Sequence, residues 1–246
     1  MQISVTKNRY KKIGKSGIKS VVSTILILLF AVVSTAILVS VRKKTLIFDE
    51  QLFYVVSVGE SKKNSGFDAK KELLKNLGGA NVVYNSGGNF YLIANVYLDL
   101  ESAKEIKTNM AQYFPDAKIV KIKTKSVSGQ SKKAIKNDDE ARKLLEFLYA
   151  KSKEFQKLEL GVLSGEISDS KFLSEMTRLR LELEKLNNCI ISEDETSKTI
   201  RGFGELFLLQ MTNFLTGFSV SQSRNNYICN YFVGFFVNYV EMYASL

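Results

Sequence analysis

The chain of 246 residues contains no histidine, which limits the chemistry that its side chains can perform. Without an imidazole, neither a Ser–His–Asp triad nor a Cys–His pair can form, and histidine-ligated zinc is excluded as well. The two cysteines, Cys189 and Cys229, either form a disulfide in an oxidising compartment or remain as buried free thiols. Both alternatives stay open, because the sequence does not give the distance between them.

Two clusters of acidic side chains are the remaining candidates for catalysis. The first, at residues 138–140, follows Asn137, and the second, at residues 193–195, precedes an apolar helical stretch. Acidic residues in such places cap helix N-termini and interact favourably with the helix dipole. We therefore interpret both clusters as helix starts. The sequence predicts a protein that is not an enzyme, with no catalytic residue, no metal site and no cofactor.

The most informative pattern for binding is an internal repeat within residues 53–124. Two runs of β-branched and aromatic residues, Tyr54–Gly59 and Tyr91–Val96, lie 37 positions apart, and each is followed by an apolar helical stripe and a second strand. Between the halves, Asn85–Asn89 has the composition of a tight hairpin turn. The order βαβ–βαβ predicts a four-stranded antiparallel sheet with two helices on one face and the other face open.

This repeat resembles the SPOR (sporulation-related repeat) domain family of bacterial envelope proteins. The family's first strand typically reads Y-x-V-Q-V-G and its third Y-R-V-x-V-G-P-F; the matching residues here are Tyr54, Val56, Val58, Gly59, Tyr91 and Ile93. The resemblance implies that the open sheet face binds peptidoglycan glycan strands, above all strands without stem peptides at division or sporulation septa.

Strand alternation assigns five side chains to that open face: Val55, Ser57, Phe90, Leu92 and Ala94. These side chains offer few hydrogen bonds to a hydroxyl-rich sugar polymer, and they suit an apolar protein surface better. Three interpretations of this face therefore stay open, namely glycan binding, binding of a protein partner, and an inert spacer.

A run without any charged side chain, residues 20–41, is long enough to cross a bilayer as a helix, which takes about 20 residues. More basic residues precede the run than follow it, so we expect a single-pass cell-membrane protein with a cytoplasmic amino terminus and an extracytoplasmic carboxyl terminus. The alternative is a cleaved signal peptide, because Ser34 and Ala36 resemble a small-residue cleavage site.

The net charge of +10 follows from the same distribution. Nine of the 35 basic residues lie before residue 45, so the remaining 26 nearly balance the 25 acidic residues. The basic excess therefore indicates membrane topology and contact with the lipid bilayer, and we expect no binding of nucleic acid.

Residues 138–246 show helical periodicity and predict a bundle of about four helices. A heptad pattern in this region favours packing within the bundle or, alternatively, self-association; its members are Phe172, Met176, Leu179, Leu183, Leu186 and Ile190. Within the last 50 residues, two stretches, 206–223 and 225–240, contain no charged side chain. Amides such as Asn226 and Asn230 are costly in hydrocarbon, so we interpret this part as core helices, one of them buried on several sides, instead of a membrane hairpin.

The predicted fold class is α+β, with a membrane anchor, a βαββαβ SPOR-like module and an all-α helical bundle. The predicted segments are a basic cytoplasmic tail (1–19), a transmembrane helix (20–41), a juxtamembrane linker (42–52), the SPOR-like domain (53–124), a linker (125–137) and the helical bundle (138–246). The expected function is that of a non-catalytic septal localisation or scaffold factor in sporulation or cell division that binds peptidoglycan glycan strands. The alternative is a membrane-anchored assembly subunit that binds only envelope proteins.

Overall fold

The computed structural model describes residues 47–218 and 223–246, which contain four strands and seven helices. The strands are β1 (Leu52–Ser61), β2 (Val82–Ser86), β3 (Asn89–Tyr97) and β4 (Lys118–Lys123). The helices are α1 (Asp68–Asn76), α2 (Leu100–Met110), α3 (Gly129–Asn137), α4 (Asp139–Ser164), α5 (Asp169–Asn188), α6 (Glu195–Gly217) and α7 (Arg224–Ser245). The predicted α+β class with a four-stranded antiparallel sheet followed by helices is thus confirmed.

Local sequence signals set several of these boundaries. Gly87 and Gly88 connect β2 to β3 with φ angles of 60° and 78°, which only glycine adopts without strain, and this confirms the predicted hairpin. The two acidic clusters do begin helices. The Asp138 side chain accepts hydrogen bonds from the backbone N–H groups of Glu140 and Ala141, and Asp194 accepts one from Ser197.

The sheet has the strand order β2-β3-β1-β4, and all its neighbouring strands are antiparallel. Helices α1 and α2 cover one face, where Leu74 and Ala103 pack in one core cluster with Val56, Val58 and Leu92. This part of the arrangement agrees with the two helices predicted on one side of the sheet.

The opposite face is closed as well, and here the expectation of an open face is wrong. Val55, Ile93 and Ile122 belong to a second core cluster that continues without a break into helices α4, α5, α6 and α7. Helix α7 lies directly against the strands, where Phe236 contacts Phe53 with ring centroids 4.9 Å apart. The sheet is therefore buried between two layers of helices.

The helices after the sheet differ from the sequence-based picture in one place. Residues 129–137, within the stretch expected to be a linker, form helix α3, whose Ile135 is completely buried. The heptad residues of α5, by contrast, pack inside the chain as one of the two interpretations proposed, with Phe172 and Leu183 both fully buried. Helix α7 is buried on several sides, as expected for one of the core helices near the end of the chain.

The predicted single-pass membrane localisation has to be corrected. Within residues 47–218 and 223–246, no helix combines the length and the apolar character that crossing a bilayer requires. The apolar run at residues 20–41, on which that prediction depends, lies outside the described residues.

The shared core leads to a prediction about the sheet on its own. A fragment of residues 47–124 keeps the strands with α1 and α2 but loses every helix that covers Val55, Ile93 and Ile122. We expect this fragment to lack a cooperative thermal transition and a dispersed amide NMR spectrum, because it exposes an entire apolar face. Residues 46–246, which form one compact unit, should unfold in a single transition. A well-dispersed spectrum of the short fragment would contradict the shared core.

Candidate functional site

The five residues predicted for an open binding face do not lie on one face. Antiparallel partners share a face, and β1 pairs Val55 with Val96 and Ser57 with Ile93, all on the side of α7. The other three, on β3, lie on the opposite side: Phe90, Leu92 and Ala94 pack with the core beneath α1 and α2. Because the side-chain period of a strand is 2, the predicted set mixes residues of opposite orientation.

Burial also removes these residues from any surface. Val55, Ser57 and Leu92 are completely buried, Ala94 is 1 % exposed, and only Phe90 is half-buried. The Ser57 hydroxyl donates a hydrogen bond to the Gly59 carbonyl oxygen at 2.8 Å, so its polar atom is satisfied within its own strand. In this arrangement the five side chains are core residues.

The structure brings together a different set of chemically active residues, at the junction of the sheet with two helices. We call Asn95, Glu159 and Cys229 the polar junction; they come from β3, α4 and α7 respectively. The Asn95 amide Nδ2 donates to Glu159 Oε1 at 2.8 Å and lies 3.9 Å from Cys229 Sγ. All three side chains are buried, and Glu159 is only 1 % exposed.

An irregularity in β3 turns Asn95 towards the helices. The register between β1 and β3 shifts after Val56, which pairs with Asn95, whereas the next residue, Ser57, pairs with Ile93. The Asn95 Oδ1 atom accepts a hydrogen bond from the backbone N–H of Val96 at 2.8 Å, which fixes the amide orientation. Such a bulge re-aims a side chain at the cost of regular pairing.

Burial controls the protonation of the polar junction. It raises the pKa of Glu159 to about 8, against the opposing effect of the hydrogen bonds from Asn95 and Cys229. Burial, together with the nearby Glu159 carboxyl group, also raises the pKa of the Cys229 thiol. Near neutral pH both groups are therefore protonated, and a protonated, buried thiol is a poor nucleophile.

The cavity beside the polar junction is small. Its volume is about 40 Å³, and aromatic residues such as Phe155, Phe232 and Phe235 line it together with Glu159 and Gln156. A buried water needs roughly 10–15 Å³ of such space, so the cavity holds at most a few water molecules and excludes a substrate of ordinary size. We interpret the polar junction as a hydrogen-bonded part of the core.

A wider cleft of about 510 Å³ lies between α2 and α4, and its lining includes Glu105, Lys157 and Glu166. These charged residues are of both signs.

In the described ranges, no three cysteine or carboxylate side chains are grouped so that they could hold a metal ion. Cys189, exposed after α5, and Cys229, buried in α7, are both free thiols, so the disulfide alternative is not formed.

The outward face of α6 is a surface that the sequence-based reasoning missed. Five exposed, uncharged residues recur at alternating spacings of four and three, and we call them the α6 seam: Gly202, Leu206, Leu209, Asn213 and Thr216. Leu206 is 36 % exposed and Leu209 is 57 % exposed. Residues at this spacing lie on one face of a helix, and the two exposed leucines are the apolar part of that face. The spacing of these residues can be read from the sequence, but they lie in a stretch that the sequence analysis assigns entirely to core helices.

Glu159 had a sequence signal too. The spacing Phe155–Glu159–Val162 puts this carboxyl group in line with the buried stripe of α4. A charged residue in that position indicates either a break in the stripe or a buried, protonated acid.

Comparisons with known proteins add no further constraint on the site. A scan against protein-family models and searches of curated proteins and of solved structures found no match to this chain. The functional assignment therefore depends on the geometry described above.

The raised pKa of Glu159 predicts how stability depends on pH. In the unfolded chain this carboxyl group titrates near its ordinary value of 4.5, and in the folded protein near 8. Between these values the folded state binds more protons, so the free energy of unfolding falls as the pH rises, by at most roughly 1.4 kcal/mol per pH unit. Below the ordinary value of 4.5, Glu159 is protonated in both the folded and the unfolded chain, so it no longer makes the free energy of unfolding depend on pH.

Glu159→Gln removes this titration and keeps an oxygen for Asn95. We expect the variant to lose less stability than the native chain between pH 5 and pH 8, as measured by urea unfolding at several pH values. Glu205→Gln, on the exposed side of α6, is the matched control and should leave the native pH dependence in place. Parallel curves for the native chain and Glu159→Gln would show that Glu159 is ionised in the folded protein.

Proposed function

We propose that this chain is a non-catalytic assembly protein that associates with a second copy of itself through the α6 seam. The observation that carries the proposal is the exposure of Leu206 and Leu209 in a heptad-spaced, uncharged stripe. The stripe from Gly202 to Thr216 is about 21 Å long, at about 1.5 Å per residue. This length matches a helix–helix contact of several turns.

Energetics support association at this seam. A leucine side chain that moves fully from water into an apolar contact contributes roughly 1.5–3 kcal/mol, and Leu206 and Leu209, which are 36 % and 57 % exposed, can gain the corresponding part of this free energy. Gly202 adds no side chain, which allows a second helix to approach closely, and Asn213 and Thr216 can form hydrogen bonds across a two-fold axis. An interface of this kind is self-complementary, as a symmetric dimer requires.

The test compares two exposed leucines on neighbouring helices. We expect residues 46–246 to associate in sedimentation equilibrium, and we expect Leu209→Lys to weaken the association at least roughly tenfold, or by about 1.4 kcal/mol. Leu181→Lys is the matched control, because Leu181 is similarly exposed at 53 % on α5 but lies outside the seam. Monomeric native protein at all accessible concentrations, or equal weakening by both substitutions, would refute the proposal.

A second candidate function is recruitment to septal peptidoglycan, as the resemblance to SPOR domains implies. The observation in its favour is the order β1-α1-β2-β3-α2-β4, which is the βαββαβ order expected for such a module. Because Val55, Ser57 and Leu92 are buried, a glycan strand would have to bind at an edge or on the helical layers instead of on the face first considered.

Co-sedimentation with purified peptidoglycan tests this candidate separately. If septal recruitment is the function, residues 46–246 should pellet preferentially with glycan strands whose stem peptides have been removed. Failure to pellet with either intact or stripped peptidoglycan would exclude glycan recognition by this part of the chain. The Leu209→Lys variant separates the two functions, because its effect on self-association should leave direct glycan binding unchanged.

A further inference from the structure

Strand β4 forms an edge of the sheet with unusual charge. In the described part of the chain, β4 pairs with β1 and with no other strand, so its outer backbone groups face away from the sheet. The segment of residues 117–137, which contains β4 and α3, carries seven lysines and no acidic residue. The rest of the chain after residue 45 has 19 basic and 25 acidic residues, a net charge of −6, so this segment concentrates positive charge.

Among the described residues, two of the lysines in and after β4 form ion pairs with carboxylates and two do not. Lys118 forms an ion pair with Glu60, and Lys123 contacts Glu50 with 3.3 Å between Lys123 Nζ and Glu50 Oε2. Lys121 and Lys125 are exposed, and among the described residues neither has a carboxylate within ion-pair distance. The excess charge therefore lies along the outer edge of the sheet.

We propose that β4 binds an extended, acidic segment of a partner protein, which pairs with the strand edge and contacts its lysines. This inference goes beyond the α6 seam and does not depend on it. The open backbone edge favours a peptide over other polyanions, because only a peptide can continue the ladder of N–H and C=O groups. The lysines select for acidic side chains and prevent pairing with neutral or basic strands, which is how natural sheets protect their edges.

The alternation of β4 specifies the pattern of the partner segment. Lys121 and Lys123 lie on one face of the strand, and Val120 and Ile122 lie on the other. A paired strand places its side chains in register with these residues. An alternating sequence of acidic and apolar residues therefore presents a carboxylate to the exposed Lys121 and a β-branched side chain to the half-buried Val120.

The probe is an eight-residue fluorescent peptide of alternating Glu and Val, with blocked ends, titrated with the full chain and followed by anisotropy. We expect saturable binding that weakens as salt is added, since exposed charge pairs are screened. Lys121→Glu should weaken binding by roughly tenfold, because one attractive cross-strand pair becomes repulsive. Lys185→Glu, an equal charge change at an exposed position of α5, is the matched control and should bind as the native chain does.

A second peptide separates strand pairing from general attraction between charges. Replacing the two central valines by proline keeps the negative charge but removes backbone N–H donors and prevents regular pairing. We expect this peptide to bind much more weakly than the first. Equal binding of both peptides, or equal binding by the native chain and Lys121→Glu, would overturn the proposal. Tight binding of polyphosphate without binding of the acidic peptide would also overturn it and would point to a phosphate polymer.

Discussion

The packing of helix α7 on the sheet is the interaction on which the rest of the structure depends. Phe236 contacts Phe53 of β1 and Tyr84 of β2, with ring centroids 4.9 and 5.8 Å apart, and so spans the central and edge strands. One turn further on, Tyr239 contacts Phe53 at 5.8 Å. Near the end of the helix, the Tyr243 hydroxyl donates to the Ile47 carbonyl oxygen at 3.0 Å, which attaches the segment before β1. Because these contacts bury one whole face of the sheet, the helices and the strands share a single core.

Covering a sheet with a helix leaves backbone groups near its edge without water, and the asparagines of α7 satisfy them. The Asn226 side-chain amide donates to the Gly79 carbonyl oxygen at 2.6 Å, and the Asn230 side-chain oxygen accepts from the Asn81 N–H at 3.0 Å. The two asparagines also bind each other, with Asn230 Nδ2 donating to Asn226 Oδ1 at 3.0 Å. Amides that would be costly in hydrocarbon are thus required at this interface, where the alternative is a buried and unsatisfied backbone group.

Much of the local structure was accessible from the sequence, because it depends on neighbouring residues. The hairpin at Gly87-Gly88, the helix start at Asp194 and the buried heptad of α5 each follow from turn chemistry, capping or periodicity over a few positions. The role of a glycine within a helix, by contrast, becomes clear only from the folded structure. A Cβ atom on Gly204 would lie 2.0 Å from the Asn187 side-chain oxygen, so the glycine allows α5 and α6 to approach.

What the sequence could not provide is the long-range pairing that decides which face is covered. A period of two identifies the residues that share one side of a strand, but it does not say how two strands align or what lies above them. The bulge at Asn95 and the contact between Asn95 and Cys229, which lie 134 positions apart in the sequence, depend on the whole chain. The predicted binding face was wrong for this reason, although its five residues were correctly identified as strand residues.

The closed interior also restricts where recognition can take place. Both faces of the sheet are occupied, and the polar junction has space for only a few waters, so a large ligand has no access to either. Helix α7 takes the position that a polymer on the second face of the sheet would need. To admit such a polymer, the chain would have to separate α7 from Phe53 and Tyr84 and expose its continuous core. The cost of that exposure favours binding at the outer surfaces, where the uncharged seam of α6 and the basic edge of β4 offer two chemically distinct contacts.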